Sequence, residues 1–130
     1  MRRLTILGLL LILGGCSYQL WLRIDGELEA PRIAITAPWI MQPTTCLDRL
    51  WVVKASDPQD RLWDVVARNG ACAPGSEITY GHAPTDFEPR TSARPLEPGI
   101  LYEAFASSKG AGGSIQFIYL NDGWKVVTGR

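Results

Sequence analysis

The sequence predicts an all-β fold: a small antiparallel β-sandwich of seven or eight short strands, with a small β-barrel as the alternative way to close it. Three observations carry that expectation. Apolar and polar residues alternate with period two in several segments, the signature of half-buried strands. Turn-forming residues recur between these segments throughout the roughly 115 residues that follow the N-terminus. No segment after Cys16 keeps a helical period. The 130 residues suffice for one domain, and 46% hydrophobic against 20% charged side chains is a globular balance. Zero net charge and a single histidine argue against binding to nucleic acid through phosphate neutralisation.

The strands follow in order. Tyr18, Leu20, Leu22 and Ile24 alternate with Gln19, Trp21, Arg23 and Asp25 to give the first. Ile33 and Ile35 mark a second between Pro31 and Pro38. In Leu47 to Ala55, Leu47, Trp51, Val53 and Ala55 alternate with Asp48, Leu50, Val52 and Lys54. Leu62 to Arg68 pairs with that segment as a hairpin across the Ser56 to Asp60 turn, and Asn69-Gly70 ends it. Five of the nine prolines fall between residues 74 and 99, which predicts an ordered, extended connection between sheets with one short strand at Glu77 to Gly81. Strands resume at Gly99 to Ser107 and Ser114 to Leu120, joined by a glycine-rich loop from Lys109 to Gly113. Asn121-Asp122-Gly123 then turns the chain into a last strand, Trp124 to Thr128.

The N-terminus stands apart. Arg2 and Arg3 precede the apolar run from Leu4 to Leu13, about 15 Å long as a helix where a bilayer core of about 30 Å needs roughly 20 residues. It therefore reads as the core of an export signal. Leu13-Gly14-Gly15-Cys16 resembles the lipobox of bacterial lipoprotein precursors. The resemblance implies that Cys16 receives a diacylglyceryl thioether, that residues 1–15 are removed as a signal peptide, and that the new amine is acylated. Palmitate-type chains on Cys16 would tether residues 16–30 (the lipidated N-terminus and first strand) and the sandwich of 31–130 to a lipid bilayer. Ser17 after Cys16 resembles lipoproteins sent on to the outer membrane, which places the chain in the bacterial envelope facing the periplasm. Loss of Arg2 and Arg3 with the signal leaves 11 basic against 13 acidic side chains, a net −2.

With Cys16 lipidated, Cys46 and Cys72 remain, and an oxidising compartment favours a disulfide between them. It would close a loop of about 26 residues, worth roughly 3 kcal/mol in the chain-entropy account. Two buried free thiols are the alternative.

Leu96-Glu97-Pro98-Gly99-Ile100-Leu101-Tyr102 has the spacing L-x-P-G-x-x-Y. This resembles the tyrosine corner of fibronectin type III and other immunoglobulin-like sandwiches, in which the residues matching Leu96, Pro98, Gly99 and Tyr102 have a structural role. Over Leu96 to Leu120 the resemblance implies that Leu96 plugs the core and the Tyr102 hydroxyl reaches back to nearby backbone. Pro95, the cysteine pair and the added final hairpin depart from that family. Trp51 or Trp63 fits the place of a core tryptophan.

Chemistry-bearing motifs are sparse. His82 with Asp86 and Glu88 has hard-ligand types, but a solvated loop among prolines explains the segment better. No G-x-S-x-G elbow accompanies His82, and the 110–113 glycines lack the Lys-Ser/Thr of a phosphate cradle. The chain is thus expected to have no catalytic residues, metal or cofactor. Trp21, on the face opposite Leu20 and Leu22, suggests with Trp39 and Trp124 an aromatic binding surface. The functional expectation is a non-enzymatic envelope lipoprotein that binds or scaffolds a protein partner. A carbohydrate- or peptidoglycan-binding module, or an inhibitor of wall-degrading enzymes, is the alternative.

Overall fold

The structure, a computed structural model, describes residues 18–36, 46–68, 73–74, 77–108 and 110–129. These form eleven strands and no helix: β1 (Tyr18–Gln19), β2 (Trp21–Gly26), β3 (Pro31–Thr36), β4 (Cys46–Lys54), β5 (Asp57–Ala67), β6 (Ala73–Pro74), β7 (Glu77–Thr79), β8 (Phe87–Thr91), β9 (Leu101–Ser108), β10 (Ala111–Leu120) and β11 (Gly123–Gly129). The larger sheet has the order β1-β10-β9-β4-β5-β8, with β11 also on β10 and β6 also on β4; the smaller is β2-β3-β7. The two sheets pack as a sandwich and do not close into a barrel. All pairings are antiparallel except β1 with β10, which is parallel.

One core lies between the sheets. From the larger sheet come the rows Ala106–Leu50–Val65 and Ala104–Val52–Trp63, in which small side chains on β9 face large ones on β5. From the smaller sheet come Leu22, Ile33, Ile35 and Ile78. Trp63 of β5 meets Tyr80, just past β7, edge to face with ring centroids 5.1 Å apart, so an aromatic pair joins the layers.

The first alternating segment is split between the layers. β1 lies on β10, Leu20 donates its N–H to the Gly112 carbonyl at 2.9 Å, and β2 continues in the smaller sheet. Leu20 and Leu22 point inward and Trp21 and Arg23 outward, the alternation expected. This first strand is part of the sandwich.

Four expectations need correction. Eleven strands form among the described residues, not seven or eight, because the first splits in two, β6 forms beside β4, and the proline-rich stretch contributes β8 besides β7. β8 holds Pro89 at the sheet's edge, where the missing N–H breaks no ladder. The β4–β5 turn is confined to Ala55-Ser56, with Asp57 to Asp60 already in strand. The faces of β4 also depart from simple alternation: register shifts between Leu47 and Arg49 and on either side of Val53 leave Leu50 and Val52 inward, Trp51 outward and Val53 buried as well. Among the described residues of the glycine-rich loop only Gly110 has a positive φ, of 74°, while Gly112 and Gly113 lie within β10.

Candidate functional site

The segment Leu96 to Tyr102 crosses one end of the sandwich, carrying the chain from edge strand β8 to central strand β9. Tyr102 is fully buried, and its hydroxyl accepts the Glu97 N–H at 2.7 Å. Leu96 is buried in the core, Pro98 is exposed, and Gly99 has φ 79° with its N–H donated to the Tyr119 carbonyl at 3.0 Å. Tyr80 fixes the same crossover from the other side, donating its hydroxyl to the Arg94 carbonyl at 2.6 Å. Burial pushes the pKa of both phenols above the ordinary tyrosine value. Both hydroxyls hold the crossover in place through their backbone hydrogen bonds.

Cys16, Trp39 and Cys72 lie outside the described residues, as does the side chain of Cys46, which opens β4 opposite Pro74. Trp21 is 60% exposed on the outer face of β2. Trp124 instead turns inward, edge to face with Phe117 (5.2 Å) and Tyr119 (5.1 Å), its indole N–H donated to the Glu27 carbonyl at 3.2 Å. Trp124 therefore packs against the core, while Trp21 projects outward from β2. His82 is exposed. Among the described residues no group of three or more His, Cys, Asp or Glu is placed to hold a metal ion, so His82, Asp86 and Glu88 make no such set.

The structure brings together a different group, on the outer face of the larger sheet. Trp51 on β4 stands in register with Phe105 on β9 and Asp64 on β5. Trp51 and Phe105 stack with centroids 5.1 Å apart and planes 11° off parallel. The guanidiniums of Arg49 and Arg61 lie 5.3 and 5.0 Å from the Trp51 ring centre. Asp64, 3% exposed, ties them down. Arg49 donates to both its carboxylate oxygens, at 2.9 and 2.6 Å, and Arg61 donates to one at 2.8 Å. Burial by itself would raise the Asp64 pKa, but the guanidinium hydrogen bonds and charges bring it below the ordinary carboxylate value. The hydrogen bond to Asp64 in turn raises that of Arg49. The cluster is ionised, with one positive charge in excess.

Sequence reasoning named Trp51 only as one of two candidates for the core, and the core place belongs to Trp63. The cluster's members come from three strands, so no short motif announces them. The local signal was Arg49 and Trp51 two apart, with Arg61 and Asp64 three apart, once the shift in β4 is known.

A second feature is a half-open hollow of about 330 Å³ at the crossover end, lined by Leu28, Tyr80, His82, Arg94 and Leu96 among others. Arg94 is held there by Asp60 at 2.6 Å and by the Arg61 carbonyl at 3.1 Å. Comparison with protein-family models, with curated proteins and with solved structures finds no match to this chain.

Proposed function

We propose that this chain is a non-enzymatic, lipid-anchored protein of the bacterial cell envelope, whose sandwich binds a partner protein through the outer face of its larger sheet. The tether rests on the lipobox-like Leu13-Gly14-Gly15-Cys16, with acylated Cys16 holding the protein at the outer membrane, facing the periplasm. Two or more acyl chains hold a protein stably where one holds it marginally. The Cys46–Cys72 disulfide belongs to the same reading, since that compartment is oxidising.

The observation that carries the binding role is the Trp51–Phe105 stack with its two guanidiniums. Tryptophan and arginine dominate binding hot spots, and side chains already held in place lose little freedom on docking. The same geometry favours a protein over a sugar. A sugar ring needs an open aromatic face, but Phe105 stacks on Trp51 from β9 and the guanidiniums approach from its own strand and β5. What remains for a partner is ring edges and guanidinium rims, suited to backbone carbonyls and carboxylates.

The test is cross-linking in cells with the native lipidated protein, followed by capture of wild type, Trp51→Ala and Arg61→Ala. A specific partner recovered by wild type and lost by both variants supports the reading. Recovery of the same proteins by all three would overturn it. Retention on insoluble peptidoglycan, or inhibition of lysozyme, would favour a wall-directed module instead. Labelling with a palmitate analogue, absent from Cys16→Ser, tests the tether; an unlabelled product that keeps residues 1–15 would remove it.

A further inference from the structure

The two flanks of the sandwich differ in chemistry. On one flank the sheet edges are β8 and β7, which present Glu77, Glu88, Pro89 and Arg90. Charges and proline are the usual protection of an open strand edge. On the other flank β11 runs alongside β2, where exposed Arg23, Asp25 and Lys125 are joined by large apolar side chains. Trp21 is 60% exposed there, Val126 55% and Val127 53%, the most exposed large apolar side chains among the described residues.

The chain's own path says what covers this flank. β1 lies on the same side of β10 that β11 occupies further along, and through Leu20 it leads directly into β2. Two residues of chain, which span at most about 7 Å, separate Cys16 from Tyr18 at the start of β1. An acylated Cys16 would put its membrane anchor at the foot of the apolar flank and not at the charged one.

We propose that this flank is a membrane-contact surface: Trp21, Val126 and Val127 rest in the headgroup region of the bilayer that holds Cys16. The proposal rests on the tether proposed above. Tryptophan favours that interfacial zone, which is about 5–8 Å deep on each side of the hydrocarbon. Arg23, on the same outward face of β2 as Trp21, is placed to reach lipid phosphates. The outer face of the larger sheet then stands to the side of the contact and stays open to a partner.

The experiment uses full-length protein processed in bacteria and reconstituted into phosphatidylethanolamine–phosphatidylglycerol vesicles, with or without brominated acyl chains. Mass spectrometry first reads the adduct on Cys16. With the adduct present, brominated lipid should quench part of the wild-type tryptophan emission. That part should be lost in Trp21→Phe and reduced in Val127→Glu, a variant that keeps all five tryptophans. Equal quenching of wild type and Trp21→Phe would overturn the contact while leaving the tether intact. An absent adduct would sink the tether and the contact with it. Intermolecular disulfides through Val127→Cys in vesicle-bound protein would show the flank paired with a second copy, and would also overturn the proposal.

Discussion

Asp64 shows how much one residue holds in place. Its carboxylate anchors two guanidiniums from neighbouring strands, and both guanidiniums lie against Trp51. Its folded pKa lies below the unfolded value of about 3.9. The stabilisation is therefore fully present above that value and is lost as pH falls through the folded pKa, so the window lies below about pH 4. Asp64→Asn should cost about 2 kcal/mol at neutral pH, the scale of charged hydrogen bonds whose arginine partners can still reach water. It should also flatten the acid limb of stability, which urea unfolding at pH 7 and pH 3 would measure. An acid limb as steep as wild type would remove Asp64 as its source. Tyr102→Phe tests a neutral contact: loss of the acceptor for the Glu97 N–H should cost about 1 kcal/mol without moving the acid limb. The segment around Tyr102 was legible in sequence because its hydroxyl and the Glu97 amide are five residues apart. Asp64 was not, because Arg49 meets it only after two strands have paired in one register.

Elements were legible where the strand's own alternation ran unbroken. Ile33 and Ile35 in β3, and Ile115 and Phe117 in β10, point inward as simple alternation requires. β4 does not, since an extra residue between Leu47 and Arg49, set against a single step on β9, breaks its alternation. β8 was hidden by Pro89, which reads as a strand breaker until an edge position excuses it. The β10–β11 hairpin gives the sharpest test of local chemistry. Asn121, at φ 59°, is the only described residue other than glycine in the left-handed region, at a two-residue turn where Leu120 pairs with Gly123. Asn121→Val should destabilise by about 1–2 kcal/mol, the cost of that conformation for a side chain that resists it. Asn121→Gly should be nearly neutral. Thermal unfolding of the pair decides: equal losses would mean that the asparagine side chain, not its backbone, holds the turn.

At the scale of the whole molecule, the smaller sheet has three short strands and cannot bury a face alone; its inward residues complete a core that the larger sheet supplies. The sheets are bound covalently at Leu20 and by packing through Trp63 and Tyr80. Small domains with one core unfold as one unit. Ile33→Ala in the smaller sheet and Leu50→Ala in the larger should therefore each cost about 2–5 kcal/mol and shift the same transition. Tryptophan emission, which senses Trp63 between the layers, and far-ultraviolet circular dichroism, which senses all strands, should give coincident midpoints in wild type and both variants. If Ile33→Ala instead produced an early transition in which Trp63 became exposed while most strand signal persisted, the smaller sheet would be a separable lid. The first strand passes through both sheets, so a lid that opened would free β2, and with it Trp21, from the body that carries Trp51.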